Sequence, residues 1–400
     1  MAPSQRLAVD AMSVRRVMIV TYEYPPLGGG GGVIFRDFAE ELSNRIEVTV
    51  LTSGRTGLPP VEKHGALEIR RVPVLMRTAD ATASLTSMLS FFPSSLYAGR
   101  RLLRERHYDL IHTSFAVPSG PSGLLLAREF RLPHVLSIHG GDIYDPTKRL
   151  SPHRTPLLKQ TVRWVLDGSD RVVAQSSDTV NRTRTFYGDR DIDRIPLAIR
   201  SIQLPLPNRR RLGIADTDKL LITIGRLVAR KGLDQLLRVV SRLEKDNWQL
   251  VILGEGPEQE PLEAAARQLG IADRVLFKGF VSDEEKWQWL AVSDLYVSTT
   301  LHEGFGIVFL EAMECGLPVL AYDKGGQSDF VSERVGGLVS VGDEDAFLQL
   351  LEQHLRDDTM RREKGKSARQ LAREFYIDRF ADRYEQVYAE CLAARSEKDE

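Results

Sequence analysis

The chain has little cysteine, no long apolar run and no excess of charge of either sign. Only two of its 400 residues are cysteine, Cys315 and Cys391. Two thiols make neither a disulfide framework nor a zinc site, which fits a reducing compartment. No stretch reaches the roughly 18 apolar residues of a membrane-spanning helix, and the apolar run 17–20 is too short for a secretory leader. Fifty-four basic and 55 acidic side chains leave a formal net charge of −1. No global field therefore draws the chain to nucleic acid or to a membrane, and any such contact must come from a local patch. With 42% hydrophobic and 27% charged residues, the composition is that of a globular protein, expected in the cytoplasm. The length calls for two domains of about 150–200 residues each.

Short apolar runs set the rhythm. VMIVT (17–21) ends in a turn rich in proline and glycine, and Phe35, Phe38, Ala39 and Leu42 then recur at helical spacing before a second run, 48–51. Strand, glycine turn, helix, strand opens a parallel α/β sheet. Further strands are expected near 110–112, 134–138 and 171–174. The segment 196–215 holds three prolines and an arginine run without a sustained period, and reads as a linker. A second α/β rhythm follows, with strands near 220–224, 249–253, 275–277, 295–298 and 319–321, and from about residue 346 the tail reads as helix throughout. The expected fold is α/β: two doubly wound Rossmann-like domains facing across a cleft. The first covers residues 1–197 and the second 216–375, joined by a linker at 198–215, with a terminal helix at 376–400 packing back on the first. Ligands of such sheets sit beyond the carboxyl ends of the strands.

Four segments carry chemistry. In TLHEGFGIVFLEAMECGLP (300–318), Gly304 and Gly306 let backbone approach a ligand, and a helix should start near Ile307 and stop at Gly316. Free N–H groups at that start favour an anion such as pyrophosphate. Glu303 in the loop and Glu311 in the helix suit hydroxyl groups rather than phosphate; a ligand with phosphates between two polyols is a nucleotide sugar. In ITIGRLVARKGL (222–233), Arg226 and Lys231 follow a strand and can converge on one diphosphate. In YPPLGGGGGV (24–33), five consecutive glycines suggest that bare backbone is needed. Val33 breaks a dinucleotide-binding fingerprint, and no Gly-Lys-Ser/Thr follows for a P-loop. In SIHGGD (137–142), His139 closes a strand, where it could face a ligand or serve the core.

The run E-G-F-G-I-V-F-L-E (303–311) resembles the E-x7-E motif of glycosyltransferase family 4, whose fold is GT-B. The resemblance implies that Glu303 meets the donor sugar and Glu311 the ribose, with Phe305, Gly306 and Ile307 near the diphosphate. G-R-L-x-x-x-K-G is similar to the family segment in which both cations, here Arg226 and Lys231, bind the leaving diphosphate. The glycine loop is similar to P-P-x-x-G-G-x-G, which places its paired glycines at Gly29 and Gly30. His139 matches a histidine near the donor sugar, and Asp142 follows it on the acceptor or sugar side. The family implies retention of anomeric configuration, with Glu303, His139, Arg226 and Lys231 as the catalytic set, no cofactor and no metal. The first domain would face the acceptor, a saccharide or a lipid-linked saccharide in polysaccharide or glycolipid assembly. Two positions depart from the pattern: Pro196-Leu197-Ala198-Ile199 lacks the Asn and Asp of a P-N-G-V-D-like turn, and Asp329 stands where relatives often carry Glu.

Other readings stay open. A nucleotide-sugar epimerase can share the fold, and a non-catalytic nucleotide-sugar-binding subunit is a further alternative, against which the intact set of Arg226, Lys231, Glu303 and Glu311 argues. Asp189, Asp191 and Asp193 alternate, but Arg194 and Arg200 occupy positions where a calcium loop needs Gly and Glu, so a solvated turn is preferred. The stretch 85–107 is apolar (Met88, Leu89, Phe91, Phe92, Leu96) and then arginine-rich. Core packing with a charged outer face is preferred there over a helix lying on anionic lipid at the inner face of the membrane.

Overall fold

A computed structural model describes residues 14–77, 84–146, 150–206, 208–244 and 247–399. The chain forms two compact units, one running up to Ala198 and resuming at Ile377, the other spanning Ile199–Tyr376.

The first unit carries β1 (Arg16–Thr21), α1 (Gly30–Leu42), β2 (Glu47–Ser53), β3 (Val61–His64), β4 (Leu67–Val72), α2 (Leu85–Glu105), β5 (Leu110–Ser114), α3 (Gly120–Phe130), β6 (His134–Ile138), α4 (Pro156–Gly168), β7 (Arg171–Ala174), α5 (Ser177–Tyr187) and β8 (Asp193–Arg194). Its eight strands lie in the order β3-β4-β2-β1-β5-β6-β7-β8. All neighbours are parallel except the β3/β4 pair. Val17–Val20 are fully buried because helices cover the sheet, which is why these strands read as unbroken apolar runs. Phe35, Phe38, Ala39 and Leu42 of α1 are buried as their spacing requires, each Phe contributing about 1.5–3 kcal/mol.

The second unit carries β9 (Lys219–Ile224), α6 (Leu233–Val240), β10 (Trp248–Leu253), α7 (Gln259–Gln268), β11 (Val275–Gly279), α8 (Asp283–Val292), β12 (Leu295–Ser298), α9 (Ile307–Glu314), β13 (Val319–Tyr322), β14 (Gly336–Val339), α10 (Glu344–Arg356) and α11 (Asp358–Ala372). The strand order is β11-β10-β9-β12-β13-β14, all parallel. Both units are therefore Rossmann-like.

Two boundaries differ from the sequence reading. Residues 199–215, expected as a linker, belong to the second unit apart from Pro207, which lies outside the described residues. Ile199 bridges to Tyr376, and the Arg209 guanidinium donates to the Val292 and Asp218 carbonyls and to Asp294 at 2.6 Å. The tail is not one helix but three. Asp357 accepts the Met360 N–H at 2.9 Å and so starts α11 afresh, and the chain turns again at 373–376 before α12 (Ile377–Asp399). Helix α12 belongs to the first unit, where Phe380 and Tyr384 pack on Phe38 and the Tyr388 hydroxyl meets His112 Nδ1 at 2.6 Å. Among the described residues no helix is long and apolar enough to cross a membrane.

Candidate functional site

The chain leaves β9 toward β10 on one side and, later, leaves β12 toward β13 on the other. β9 and β12 are neighbours, so the crevice beyond their carboxyl ends is the topological switch point of this sheet. The loop after β9 supplies Gly225, Arg226 and Lys231, which line one small pocket with Thr223, Ile252 and Ser298. Arg226 is exposed, and no acidic side chain among the described residues pairs with it. Lys231 reaches across to the loop after β12, where its Nζ lies 2.5 Å from Glu303 Oε2. Both side chains are largely buried, at 14% and 15% exposure. Burial pushes Glu303 toward its protonated form, but the charge and hydrogen bond of Lys231 outweigh it and hold its pKa below the usual carboxylate value.

Helix α9 starts where the spacing of its glycines and apolar residues placed it. Gly306 takes φ +92° at its entry, a left-handed conformation that suits glycine, and no side chain caps the first turn. The first N–H groups have no intrahelical acceptor and present partial positive charge. Glu311 lies in this helix with Oε1 2.7 Å from Lys286 Nζ of α8. Burial works against the charge on Lys286, yet Glu311 and Asp283 overcome it and raise its pKa. The Tyr296 hydroxyl registers both acids: burial raises its pKa, and the charges of Glu303 and Glu311 raise it further. Arg226, Lys231, Glu303, Gly304, Phe305, Gly306, Ile307 and Glu311 thus occupy loops and a helix start at the ends of two adjacent strands.

Sequence reasoning missed three supports of this site. Lys286 escaped because nothing in its own helix announces a partner 25 residues on. Tyr296 reads as one more strand residue. The third is the turn after β13. Gly325 takes φ +108°, a side chain there would collide with the Glu303 carbonyl, and the Gly326 N–H donates to that same oxygen at 3.0 Å. A bare-backbone turn therefore braces the Glu303 loop, and the Gly-Gly pair was the available signal.

In the first unit, Gly29 and Gly30 form the entry to α1, with the Gly29 N–H donating to Glu23 Oε2 at 3.0 Å. His139, just past β6, has Nε2 3.1 Å from Ser114 Oγ and Nδ1 3.3 Å from Gln175 Oε1. Its ring lies 4.5 Å from that of Phe115, a residue held at φ +74° and not singled out by the sequence reading. Burial lowers the His139 pKa to about 4 against an upward pull from Gln175, so its imidazole is neutral at neutral pH. Asp142 is buried and accepts from the His139 N–H at 2.9 Å and the Ala116 N–H at 2.7 Å. Its carboxylate ties the loops after β5 and β6 together, a task the sequence reading had not assigned to it. Asp189 and Asp193 of the alternating triplet pair with Arg184 and Arg171, and among the described residues no cluster of potential metal ligands forms.

Two family models match the chain: "Glycosyltransferase Family 4" over residues 28–201 and "Glycosyl transferases group 1" over residues 207–371. Among curated relatives, a D-inositol 3-phosphate glycosyltransferase of Xylanimonas cellulosilytica is 28% identical, over 93% of this chain and 95% of its own. Among solved structures, sucrose-phosphate synthase from Thermosynechococcus elongatus superposes with a TM-score of 0.82 at 22% identity, covering 95% of this chain and 100% of that one. HepE from Anabaena, solved in complex with UDP-glucose, gives 0.73 at 20% identity, over 95% and 99%. These neighbours share the GT-B fold. With the two models spanning successive halves of the sequence, and with the Arg226, Lys231, Glu303 and Glu311 pattern beyond the carboxyl ends of β9 and β12, the chain belongs to glycosyltransferase family 4.

Proposed function

We propose that this glycosyltransferase is a retaining, metal-independent hexosyltransferase acting in the cytoplasm. It moves a sugar from a nucleoside diphosphate onto a saccharide or lipid-linked saccharide, in polysaccharide or glycolipid assembly. The observation that carries this reading is the Lys231–Glu303 contact at the switch point of the second sheet. A cation for phosphate and an acid for sugar hydroxyls stand side by side there. Lys231 has three N–H donors and gives Glu303 only part of that capacity, so its ammonium also serves a diphosphate lying toward Arg226 and the start of α9. Glu311, with its negative charge balanced by Lys286, accepts from the ribose hydroxyls. Gly29 and Gly30 offer backbone to the donor, and His139 offers a neutral imidazole to the transferred sugar, as the family resemblance implies.

In the reaction, the bond between the sugar anomeric carbon and the β-phosphate oxygen breaks and its electron pair stays on that oxygen. Arg226, Lys231 and the α9 N-terminus stabilise the charge that develops, the largest catalytic term expected. The acceptor hydroxyl attacks from the face the diphosphate leaves, and its proton passes to a phosphate oxygen. Two side-chain cations take over the neutralising work that a divalent metal does elsewhere. The test is a thermal-shift panel of UDP, GDP and ADP sugars followed by product analysis with candidate acceptors. One donor series should raise the melting temperature, since a ligand bound only by the folded state stabilises it. That donor should then be consumed only when acceptor is present. Donor isomerisation without acceptor would turn the reading to an epimerase, and no shift with any nucleotide sugar would end it.

A further inference from the structure

The surroundings of His139 decide which of its two ring nitrogens carries the proton. The residue follows β6, and Gln175, buried at 5% exposure, follows the neighbouring strand β7. The Gln175 carboxamide touches this one histidine twice. Its Nε2 donates to the His139 carbonyl at 2.8 Å, and its Oε1 lies 3.3 Å from the ring Nδ1. A backbone carbonyl only accepts, so the amide nitrogen must face it and the amide oxygen must face the ring. That oxygen also only accepts, so Nδ1 is the nitrogen that bears hydrogen. A neutral imidazole has one N–H, which leaves Nε2 with a bare lone pair 3.1 Å from the Ser114 hydroxyl. Turned over, the ring would set carbon against both oxygens. Packing holds it as it is: the Phe115 ring lies 4.5 Å away and Phe35 meets it edge to face at 5.3 Å. Phe115 is fixed in turn at φ +74°, where its N–H donates to the Ser137 carbonyl and its own carbonyl accepts from the Gly120 N–H. A side chain at Gly31 would strike the Phe115 ring at 2.8 Å, so one of the five consecutive glycines makes room for this clamp.

We propose that Gln175 is the positioning residue that makes His139 a hydrogen-bond acceptor, with the Nε2 lone pair offered to a hydroxyl of the transferred sugar. The proposal rests on the reading of His139 as a sugar contact and names the group that gives that contact its direction. An unguided imidazole can carry its proton on either nitrogen, and the partner of one nitrogen settles the state of the other. With hydrogen on Nε2 the ring would donate, and a sugar hydroxyl could only accept from it. The chemistry of the partner matters as well. A carboxylate at Nδ1 would hold the same tautomer but favour the imidazolium, whose Nε2–H donates. A neutral amide orients the ring without charging it. The elements packed on the ring agree with this. Helix α1 meets it with Phe35, the loop after β5 with Phe115 and the loop after β7 with Gln175, and none of these three ionises. Asp142, on the loop that His139 begins, accepts from the backbone N–H of His139 and Ala116. His112 of β5 is buried, with its two nitrogens at the Tyr388 and Ser137 hydroxyls.

Nitrogen-15 NMR of the full chain, without ligand, tests this, because a protonated and a bare ring nitrogen differ widely in chemical shift. H139A identifies the signals of His139 among the eight histidines. The wild type should show hydrogen on Nδ1 and a bare Nε2 at neutral pH, a measurement that needs no substitution at Gln175. Q175L removes the acceptor at Nδ1. The proton should then shift toward Nε2, and kcat/KM should fall about tenfold, the worth of one hydrogen bond, with the UDP, GDP or ADP sugar that the thermal-shift panel selects. Q175E keeps an oxygen at Nδ1 and therefore the tautomer, but its charge raises the His139 pKa. Its kcat/KM should gain a loss on mild acidification that the wild type lacks. A purely structural Gln175 would lower the melting temperature and move neither the tautomer nor the pH profile. A wild-type ring with hydrogen on Nε2, or a folded Q175L with unchanged tautomer and rate, overturns the proposal. Near-normal turnover in H139A overturns the sugar-contact reading itself, and the proposal with it, even where the wild-type spectrum is as expected.

Discussion

Replacing Lys231 by methionine removes the cation and keeps most of the stem. Glu303 is then left largely buried without its main counter-charge, since only Arg230 and His302 still lower its pKa. Breaking a buried pair by removing one partner costs about 3–5 kcal/mol. The 14% and 15% exposure of the two side chains lets some water in, which brings the expected loss to about 2–3 kcal/mol. E303Q should cost about 1–2 kcal/mol, because the Lys231 stem is flexible and its ammonium can turn toward solvent. The double variant K231M/E303Q should lose less than the sum, with a coupling of about 2 kcal/mol. The pH dependence follows from the direction of the shifts. In the wild type the Glu303 pKa lies below its unfolded value, so its contribution is present above the unfolded pKa and is lost as pH falls through the folded one. In K231M burial acts with little opposition and the folded pKa rises above the unfolded one. The penalty is then full at neutral pH and shrinks as pH falls through that raised value, so the gap to wild type narrows on mild acidification. Urea unfolding followed by tryptophan fluorescence is the assay, because Trp248, Trp287 and Trp289 lie in the second unit and only Trp164 lies in the first. Additive losses, with a gap that stays constant from neutral to mildly acidic pH, would refute the reasoning.

Three further outcomes are expected. Lys286→Met should raise the donor KM about tenfold with kcat nearly unchanged, and Lys286→Arg should restore it, since the residue acts by holding Glu311; initial-rate kinetics check this. Gly325→Ala forces a side chain against the Glu303 carbonyl at φ +108° and should cost about 2–4 kcal/mol with loss of nucleotide affinity. Gly270→Ala, at φ +71° with open space around it, should cost only about 1 kcal/mol and leave affinity intact; thermal melts with and without nucleotide separate the two. Burial lowers the pKa of His112 well below the usual value, of His134 to about 3 and of His139 to about 4. All three therefore take up protons in the unfolded chain first. The first unit should lose stability as pH falls below about 6.5, by roughly 4 kcal/mol between about pH 7.5 and 5.5. Hydrogen exchange of peptides from β5 and β6 reads this.

The strands flanking both sites were legible because parallel strands covered on both faces are apolar throughout, as in Val17–Val20 and Leu220–Ile222. The β3/β4 hairpin was not, since Val61–His64 is an edge strand open to water with no apolar run. Strand β14 was hidden too, because Gly336-Gly337 erases the strand signature. The helical tail read as continuous because a cap at Asp357 interrupts periodicity without breaking composition. In the site, residues acting through their own loop (Arg226, Lys231, Glu303) were readable. Those acting through tertiary approach were not: Lys286 under Glu311, Gly325 against Glu303, Asp142 between two loops. On α2, periodicity located the helix but could not tell which face the protein would keep. Ser87, Ser95 and Gly99 share the buried face with Phe91, Leu102 and Leu103, while Leu85, Leu89 and Phe92 stay exposed.

Calorimetric titration tests the diphosphate grip most directly. The nucleoside diphosphate of the preferred donor and the bare nucleoside would each be titrated into wild type and R226A/K231A. The account predicts that the double variant loses diphosphate affinity by a hundredfold or more, about 2.7 kcal/mol, while its weak affinity for the nucleoside is unchanged. Equal diphosphate affinity in the two proteins would contradict it.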